Sequence, residues 1–595
     1  MAYDAYEGDA WLGVDLGTQS VRVLLVTAEG RVLGAGAAAL TGRRDGLRHE
    51  QDPGEWWDAV GTASRAALAS RPPGVRIGGL AVCGTSGTVL LTDAEGRALT
   101  PALMYDDGRA AEDAARARQA GLLVQNGWGL PKALWLLREH ESARPTPRPD
   151  APPTHGAVAS LAQGVDVGPA HRADASLGHG ADVGPAHRAD ASPGHGADAG
   201  PAHGADASLA HGADVGPAHR ADAPLAHRAD AGPAHRADVP PAQRADVRLA
   251  HQADVITARL TGHPTPTDSS HALKTAYDLE ADSWPHVVFA ELGLPEQMLP
   301  PVVRPGSRLG EVCAAAAERT GIPAGTPVIA GMTDGCAAQI ASGALREGSW
   351  NAVLGTTLVL KGVSSVPVRD GTGVVYNHRA PDGSWWPGGA SSVGAGALTA
   401  RFPDASPAAM DRAASAHEPA SVLAYPLTSP GERFPFLAPD ATPFVLGSPG
   451  SDTDLWAALL QGVALTERLC LDYLHHLGAP LDGPLTFTGG AARSPYWNQL
   501  RADILGRRAR VPEQTEPALG MAALAAYGTG AAPSLADAAD RMVRIRGVLE
   551  PRPARTALFA DPYARWVAEL ERRGWLPAPV AAHARARLNL DTAGS

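Results

Sequence analysis

The chain has 595 residues, too many for one hydrophobic core, so two large domains are expected. Its 51 basic and 63 acidic side chains give a net charge of −12 with no basic block, which argues against nucleic-acid binding. Cys83, Cys313, Cys336 and Cys470 lack metal-ligand spacing, the acidic start MAYDAYEGDA lacks the apolar core of a signal peptide, and no run of about twenty apolar residues suggests a membrane span; a soluble cytoplasmic protein is expected.

Trp11–Arg22 (WLGVDLGTQSVR) reads as strand, tight turn and returning strand. Trp11, Leu12, Val14 and Leu16 fit a buried strand, Gly17, Thr18, Gln19 and Ser20 a polar turn, and Val21–Val26 the return, which ends at Glu29-Gly30. Asp15 falls inside the first strand, where an unpaired carboxylate is expensive. A hairpin tip of this kind brings backbone N–H groups close to a phosphate. Asp15 then suits magnesium, a hard cation that takes one or two carboxylates together with phosphate oxygens. An ordinary hairpin with a structural Asp fits this segment as well.

Asp52-Pro53 supplies a cap and a first helical proline for a helix reading Asp58–Ala69. Arg76–Cys83 is a short buried strand that ends at Gly84-Thr85-Ser86-Gly87, and Thr88–Thr92 is another strand. Ligands collect at strand ends in open α/β sheets, so Thr85-Ser86 suits sugar hydroxyls or, more simply, a polar turn. Pro101–Arg109 (PALMYDDGR) carries Asp106, Asp107 and Arg109, as a pocket wall or a surface ion pair. A helix starts at Pro131 within Leu130–Leu137.

From His155 to about Val255 the chain repeats every eight residues. His recurs at positions 171, 179, 187, 195, 203, 211, 219, 227 and 235, and Gln243 takes its place in the next unit. Large apolar residues are nearly absent and Gly or Pro interrupts most units, so the repeat cannot bury enough surface to offset ordering entropy. The expectation is a disordered insertion over 145–252 in a surface loop, a tandem repeat without metal chemistry.

Thr267-Asp268-Ser269 reads as a helix start or pocket loop, and Lys274 as a phosphate or sugar contact or a solvated lysine. Pro327–Gly331 is a buried strand leading to Asp334. A carboxylate at a strand end between glycines suits a general base, and equally a cap for a helix over Ala337–Gly343. In Trp350–Val359 the turn Gly355-Thr356-Thr357 echoes Gly17-Thr18. Gly388–Ala397 is a small-residue run into a helix, and Leu455–Leu477 is a long amphipathic helix. Leu485–Asp503 meets Gly489-Gly490-Ala491 before Ser494-Pro495 opens a helix. Glu516–Gly530 is an alanine-rich helix, and beyond about Leu535 the tail reads as helical and peripheral.

Taken in order, these segments resemble the FGGY family of carbohydrate kinases, within the actin/Hsp70-like superfamily. The resemblance covers nearly all of Trp11–Gly530 outside the insertion. It implies an α/β fold of two ribonuclease H-like domains with a cleft between them. The first domain spans 9–324, interrupted over 145–252; the second spans 325–535, and 536–595 is a tail. It implies ATP and Mg2+, with the metal at Asp15 and with Thr18, Gln19, Arg22, Gly355 and Thr356 on the phosphates. Gly394, Gly396, Gly489, Gly490, Ala491 and Ser494 would seat the nucleotide, and Asp334 would be the base. Asp15, Thr85, Ser86, Asp107, Arg109 and Asp334 would line the sugar.

Tyr105 and Asp106 stand where such kinases commonly have Trp and Asn, and Thr85-Ser86-Gly87 where xylulose kinases usually have Met-His-Gly. GTSGT, LMYDD and ALKTAYD look more similar to the D-ribulokinase branch. The expected reaction is phosphorylation of D-ribulose at its primary hydroxyl, with D-xylulose or another ketopentose or polyol as the second choice. The expected partner is a small sugar, without nucleic acid or membrane, and a homodimer is left open. A sugar-independent ATPase or a binding module of the same fold is the reading from another class, separated by whether a sugar stimulates ATP turnover.

Overall fold

In the computed structural model, which describes residues 7–143 and 246–593, two mixed sheets carry the chain. The first contains β1 (Gly8–Leu16), β2 (Ser20–Thr27), β3 (Val32–Ala39), β4 (Val75–Gly84), β5 (Arg308–Glu311) and β6 (Pro327–Ile329), in the order β5-β6-β4-β1-β2-β3. Helix α1 (Pro53–Leu68) packs under it, α2 (Gly129–Ala143) and α3 (Ser269–Leu273) lie between β4 and β5 in sequence, and α4 (Asp334–Ala341) follows β6. The second sheet contains β7 (Trp350–Leu354), β8 (Leu358–Gly362), β9 (Tyr376–Arg379), β10 (Trp385–Ser391), β11 (Leu485–Thr488), β12 (Ala509–Pro512) and β13 (Ile545–Leu549), in the order β9-β10-β8-β7-β11-β12-β13. Its helices are α5 (Asp452–His476), α6 (Pro495–Leu505), α8 (Ala560–Arg572) and α9 (Ala578–Ala593), whereas α7 (Pro517–Gly528) packs on the first sheet.

The two sheets share one wiring. In each, three antiparallel strands (β3, β2, β1 and β10, β8, β7) are followed by two strands parallel to the first (β4, β6 and β11, β12). An antiparallel edge strand then closes each, β5 in one and β13 in the other. β1 is buried on both faces, as its near-continuous apolar run requires. Leu12 and Val14 meet Trp56 and Val60 of α1, while Trp11 joins a second apolar layer with α4 and α7.

Helix α7 bridges the halves of the chain. It packs on β1, β4 and α4, and small residues make that approach possible. A Cβ on Gly13 would lie 1.7 Å from the Ala518 carbonyl oxygen, and one on Gly520 would lie 2.1 Å from that of Ala337. Starts are set locally: Asp52 caps α1 by accepting from the Gly54 amide at 2.8 Å, and Ser494 caps α6 by accepting from the Trp497 amide at 3.1 Å, each with proline next. A five-stranded antiparallel sheet (Arg43–Asp45, Arg48–Gln51, Ala102–Leu103, Val89–Thr92, Arg248–His251) sits beside the first sheet's ligand loops.

Three expected boundaries move. β6 hydrogen-bonds into the first sheet beside β4, so the change of sheet falls between α4 and β7, not at 324/325. The insertion cannot run to 252, because Arg248–His251 pairs with Val89–Thr92 and Gln252 begins a helix. The last units, QRADVRLA and HQADVITA, have lost the glycines and prolines of the others, which frees them for regular structure. The repeat itself, 144–245, lies outside the described residues, as does its expected disorder. The tail is not peripheral: β13 pairs with β12, and Phe559, Tyr563, Trp566 and Leu570 are buried in the second core. Tyr563 Oη donates to Asp472 at 2.6 Å, and Trp566 Nε1 donates to the Ala424 carbonyl at 3.1 Å. Among the described residues no helix is long and apolar enough to cross a membrane.

Candidate active site

Each sheet offers the tip of its central hairpin. The first tip is Gly17-Thr18-Gln19, closed by the Gly17 amide donating to the Ser20 carbonyl at 3.1 Å and steadied by Gln51 Nε2 on the Thr18 carbonyl at 2.6 Å. The second is Gly355-Thr356-Thr357, closed from the Gly355 amide to the Thr357 carbonyl at 3.0 Å. Gln19, Arg22 and Thr356 are exposed. Gly394 and Gly489 let two other loops press on the second tip. A Cβ at Gly394 would come within 2.3 Å of the Thr356 carbonyl oxygen, and one at Gly489, where φ is +83°, within 2.5 Å of that of Leu354. Gly396 adds an amide bond to the Thr356 carbonyl at 3.1 Å. These three expected nucleotide contacts therefore shape the tip, whereas Gly355 and Gly490 face open space.

Three carboxylates from distant segments gather beside the first tip. Asp15 lies in the ladder between Arg22 of β2 and Cys83 of β4, 7% exposed, and takes a weak bond from the Cys83 thiol at 3.4 Å. Burial and the neighbouring Asp334 push its pKa up to about 6, with Glu516, at the start of α7, adding to the effect. Asp334, the first residue of α4, accepts from the Gly335 amide at 2.7 Å. Burial raises its pKa too, against the Gly335 and Ser86 amides and the charges of His271 and Lys361. Clustered acids with few donors call for a cation. The set fits magnesium held by one or two carboxylates with phosphate oxygens completing the shell, and among the described residues no group of three or more side chains forms a closed metal site.

The sugar side departs from expectation at three residues. Asp107 is buried, takes the His49 amide at 2.8 Å and binds Arg109 at 2.8 Å; Arg109 in turn binds Glu50 at 2.7 Å and lies 4.4 Å above the Trp135 ring. Asp107 and Arg109 thus brace each other and Glu50. Thr85 is likewise committed, its amide and hydroxyl bonded to Gln252 Oε1 at 2.7 and 2.8 Å and its hydroxyl to Thr88 at 2.6 Å. Ser86 is different. Its Oγ is buried without a partner, as are Gln252 Nε2, Ser269 Oγ and His271 Nε2. These atoms sit on segments that meet Asp334 and its neighbours: Gln252 holds Thr85, the Ser86 amide bonds Asp334, and Ser270 holds the Thr333 amide at 2.9 Å. Unpaired buried polar atoms are costly and rare; here they match the hydroxyls of a polyol.

Only three of the 51 basic residues are lysines, and all three are buried near this site. Lys132 of α2 ties the Met104 and Gly127 carbonyls at 2.8 and 3.0 Å, and burial lowers its pKa to about 7. Lys274, far from being solvated, lies 4.5 Å from the Trp128 ring and 3.9 Å from the Tyr376 ring. Lys361 of β8 donates to Cys336 Sγ at 3.3 Å and to His378 Nδ1 at 3.1 Å.

At the far end of the second tip lies a cavity of about 720 Å³, with Leu398, Phe402, Trp456, Gly490 and Ala491 in its lining. Apolar walls of that size suit a planar heteroaromatic base. Ser494 reaches its rim, but its hydroxyl caps α6 and donates to Asp411 Oδ2 at 2.6 Å, so it is not free for a nucleotide. Sequence reasoning missed Glu516, Gln252, His271, Lys361 and Asp411; the scarcity of lysine was the one available signal, and it pointed to Lys274 and Lys361.

Comparison with known proteins shows the family. The model of the FGGY family of carbohydrate kinases, N-terminal domain, matches residues 10–146 and 238–341, and that of the C-terminal domain matches 350–529. A xylulose kinase of Streptomyces coelicolor is 29% identical over 582 residues, covering 92% of this chain and 97% of that one. A xylulose kinase of Escherichia coli is 25% identical, covering 87% and 89%. Among solved structures, a xylulose kinase from Rhodospirillum rubrum superposes with TM-score 0.70 at 22% identity, covering 95% and 98%. Plasmodium falciparum glycerol kinase with ADP gives 0.70 at 15%, covering 96% and 99%. The chain belongs to the FGGY family of carbohydrate kinases, and it is an enzyme of the sugar-kinase class with the two-domain actin-like fold.

Proposed function

We propose that this FGGY carbohydrate kinase phosphorylates a ketopentose at its primary hydroxyl with ATP, in the cytoplasm. The observation that carries the reading is Asp334, placed at the head of α4 beside Asp15 and among the unpaired polar atoms of Ser86 and His271. Its carboxylate takes the hydroxyl proton as that oxygen bonds to the γ-phosphorus and the bond to the β-phosphate oxygen breaks, releasing ADP. The raised pKa brings the base closer to the working pH, where proton transfer is efficient. The hairpin tips at Thr18 and Thr356, with Arg22 and Gln19, orient the phosphates, since positioning is most of phosphoryl-transfer catalysis. Magnesium, when bound at Asp15, would supply charge neutralisation on the phosphates. The cavity beyond Gly490 and Ala491 seats the adenine.

For the acceptor, the GTSGT, LMYDD and ALKTAYD motifs favour D-ribulose, and the relatives named xylulose kinase favour D-xylulose. The free Ser86 hydroxyl and the committed Thr85 leave a pocket that either pentulose would have to satisfy. The test is ADP release with MgATP across D-ribulose, D-xylulose, L-ribulose, L-xylulose, glycerol and gluconate, with Asp334→Ala alongside. Strong stimulation by one pentulose, lost in the variant, supports both the class and the base, and the preferred pentulose names the substrate. Turnover that no sugar stimulates, in protein with an intact melting transition, rules the reading out.

A further inference from the structure

Between the turns on the sugar side lies a lysine that the reaction above does not use. Lys132 stands in the first turn of α2 and is completely buried. Both facts oppose an ammonium, because the first turn is the positive end of a helix and burial strips a charge of its water. Among the described residues no ion pair offsets them. Nζ instead donates to the Met104 and Gly127 carbonyls at 2.8 and 3.0 Å. A side chain kept only to fill that space would be apolar. What lysine adds is several donors on a long stem, enough to hold two carbonyls from separate turns.

Those two turns touch a third. The Asp107 amide closes one on the Met104 carbonyl at 3.0 Å, and the Trp128 amide closes the next on the Gln125 carbonyl at 3.0 Å. Glycines let them meet. A Cβ on Gly127 would lie 2.9 Å from the Tyr105 carbonyl oxygen, and one on Gly87 would lie 2.8 Å from the Gly127 carbonyl oxygen. The Gly127 carbonyl therefore takes Lys132 Nζ and also abuts Gly87, the residue after Ser86. At the start of α2 the Gly129 and Leu130 amides donate to the Lys274 carbonyl at 2.7 and 3.2 Å, which ties the same turns to the end of α3. Ser86 Oγ, Ser269 Oγ and His271 Nε2, unpaired atoms of the sugar side, thus stand on segments that these turns touch.

We propose that Lys132 is a positioning residue for the acceptor: its Nζ clamps the 104–107 turn to the 125–128 turn and so sets where Ser86 and α3 meet the sugar. The clamp rests on the reading of those unpaired atoms as the sugar's contacts. It acts through the turns and not by touching the sugar. Recognition of hydroxyls depends on placement to a fraction of an ångström, and a shift of about 1 Å in a supporting segment can cost about a hundredfold. The nucleotide cavity is lined by segments between Ala395 and Trp497, so loosening the clamp spares ATP.

The experiment separates two Michaelis constants, KM for the preferred acceptor of the panel and KM for ATP, each with the other substrate saturating. Lys132→Met keeps the length of the side chain and removes its donors. KM for the acceptor is expected to rise about tenfold or more, while KM for ATP stays within about threefold of wild type. Gly87→Ala leaves Lys132 in place and drives a methyl group against the Gly127 carbonyl, at a position where φ is +86°, and should produce the same split. A lysine that only stabilises the fold would lower the melting temperature and leave both constants alone or raise them together. Either result in Lys132→Met overturns the proposal. Should Lys132→Met lack a melting transition, Gly87→Ala decides by the same two outcomes. Wild-type turnover that no sugar stimulates takes down the function reading and the clamp with it; a stimulated wild type beside an unsplit variant takes down the clamp alone.

Discussion

At the scale of single residues, Asp15 shows how the site and the stability of the fold oppose each other. Its pKa rises from 3.8 in the unfolded chain to about 6 in the fold, so between those values the folded protein holds more protons than the unfolded one. Stability from this group is therefore fully present below about pH 4 and lost as pH rises through about 6, a difference on the order of 3 kcal/mol. Asp15→Asn should accordingly gain about 2–3 kcal/mol against urea at pH 8 and nothing near pH 4, while turnover is abolished. An unchanged unfolding midpoint at pH 8 would mean that the carboxylate is not strained. Asp15 and Asp334 stood out in the sequence by their places inside and after apolar strands, where a structural acid or a helix cap fitted as well, and the family resemblance tipped the reading. His271, Gln252 and Glu516 did not, because their roles come from contacts with segments far away in the chain. The brace between Asp107, Arg109 and Glu50 was hidden for the same reason, since the sequence does not say which way a side chain faces.

At the scale of elements, the fold depends on how closely α7 approaches β1. The Ala518 carbonyl oxygen occupies the place where a Gly13 side chain would begin, and Gly520 lies nearly as close to α4. Gly13→Ala must push α7 off the first sheet and should cost about 3 kcal/mol or more, read as a fall in melting temperature together with activity, because Glu516 and the layer behind Asp334 move with the helix. A variant as stable as wild type would show that this seam is loose. Most elements were readable: the hairpins from their apolar runs, α1 and α6 from cap-and-proline starts. α4 begins three residues before the expected Ala337, at Asp334 itself, so the proposed base sits on the helix rather than ahead of it. The edge strand β13 and the buried face of α8 escaped because short amphipathic segments near a chain end look the same whether or not a core receives them.

At the scale of the molecule, the repeated strand wiring explains why two Gly-Thr turns were visible: the same hairpin occupies the same place in two sheets. The domain border was misplaced because order along the chain and order in space disagree. β6 closes the first sheet just before the second begins, while α7, encoded late, returns to the first. Lys132, Lys274 and Lys361 are the only lysines in the chain, and they are 0%, 9% and 6% exposed. A lysine-specific endoprotease therefore finds no accessible bond in the folded enzyme, although an arginine-specific one finds many. Digestion by the first should track opening of the structure and little else, with the bond after Lys274 cut most slowly when MgATP and sugar are both present. Cleavage at a ligand-independent rate would show that Trp128 and Tyr376 do not hold that side chain shut. With a ligand-dependent rate, the site carries its own burial gauge, read by a protease instead of a spectrometer.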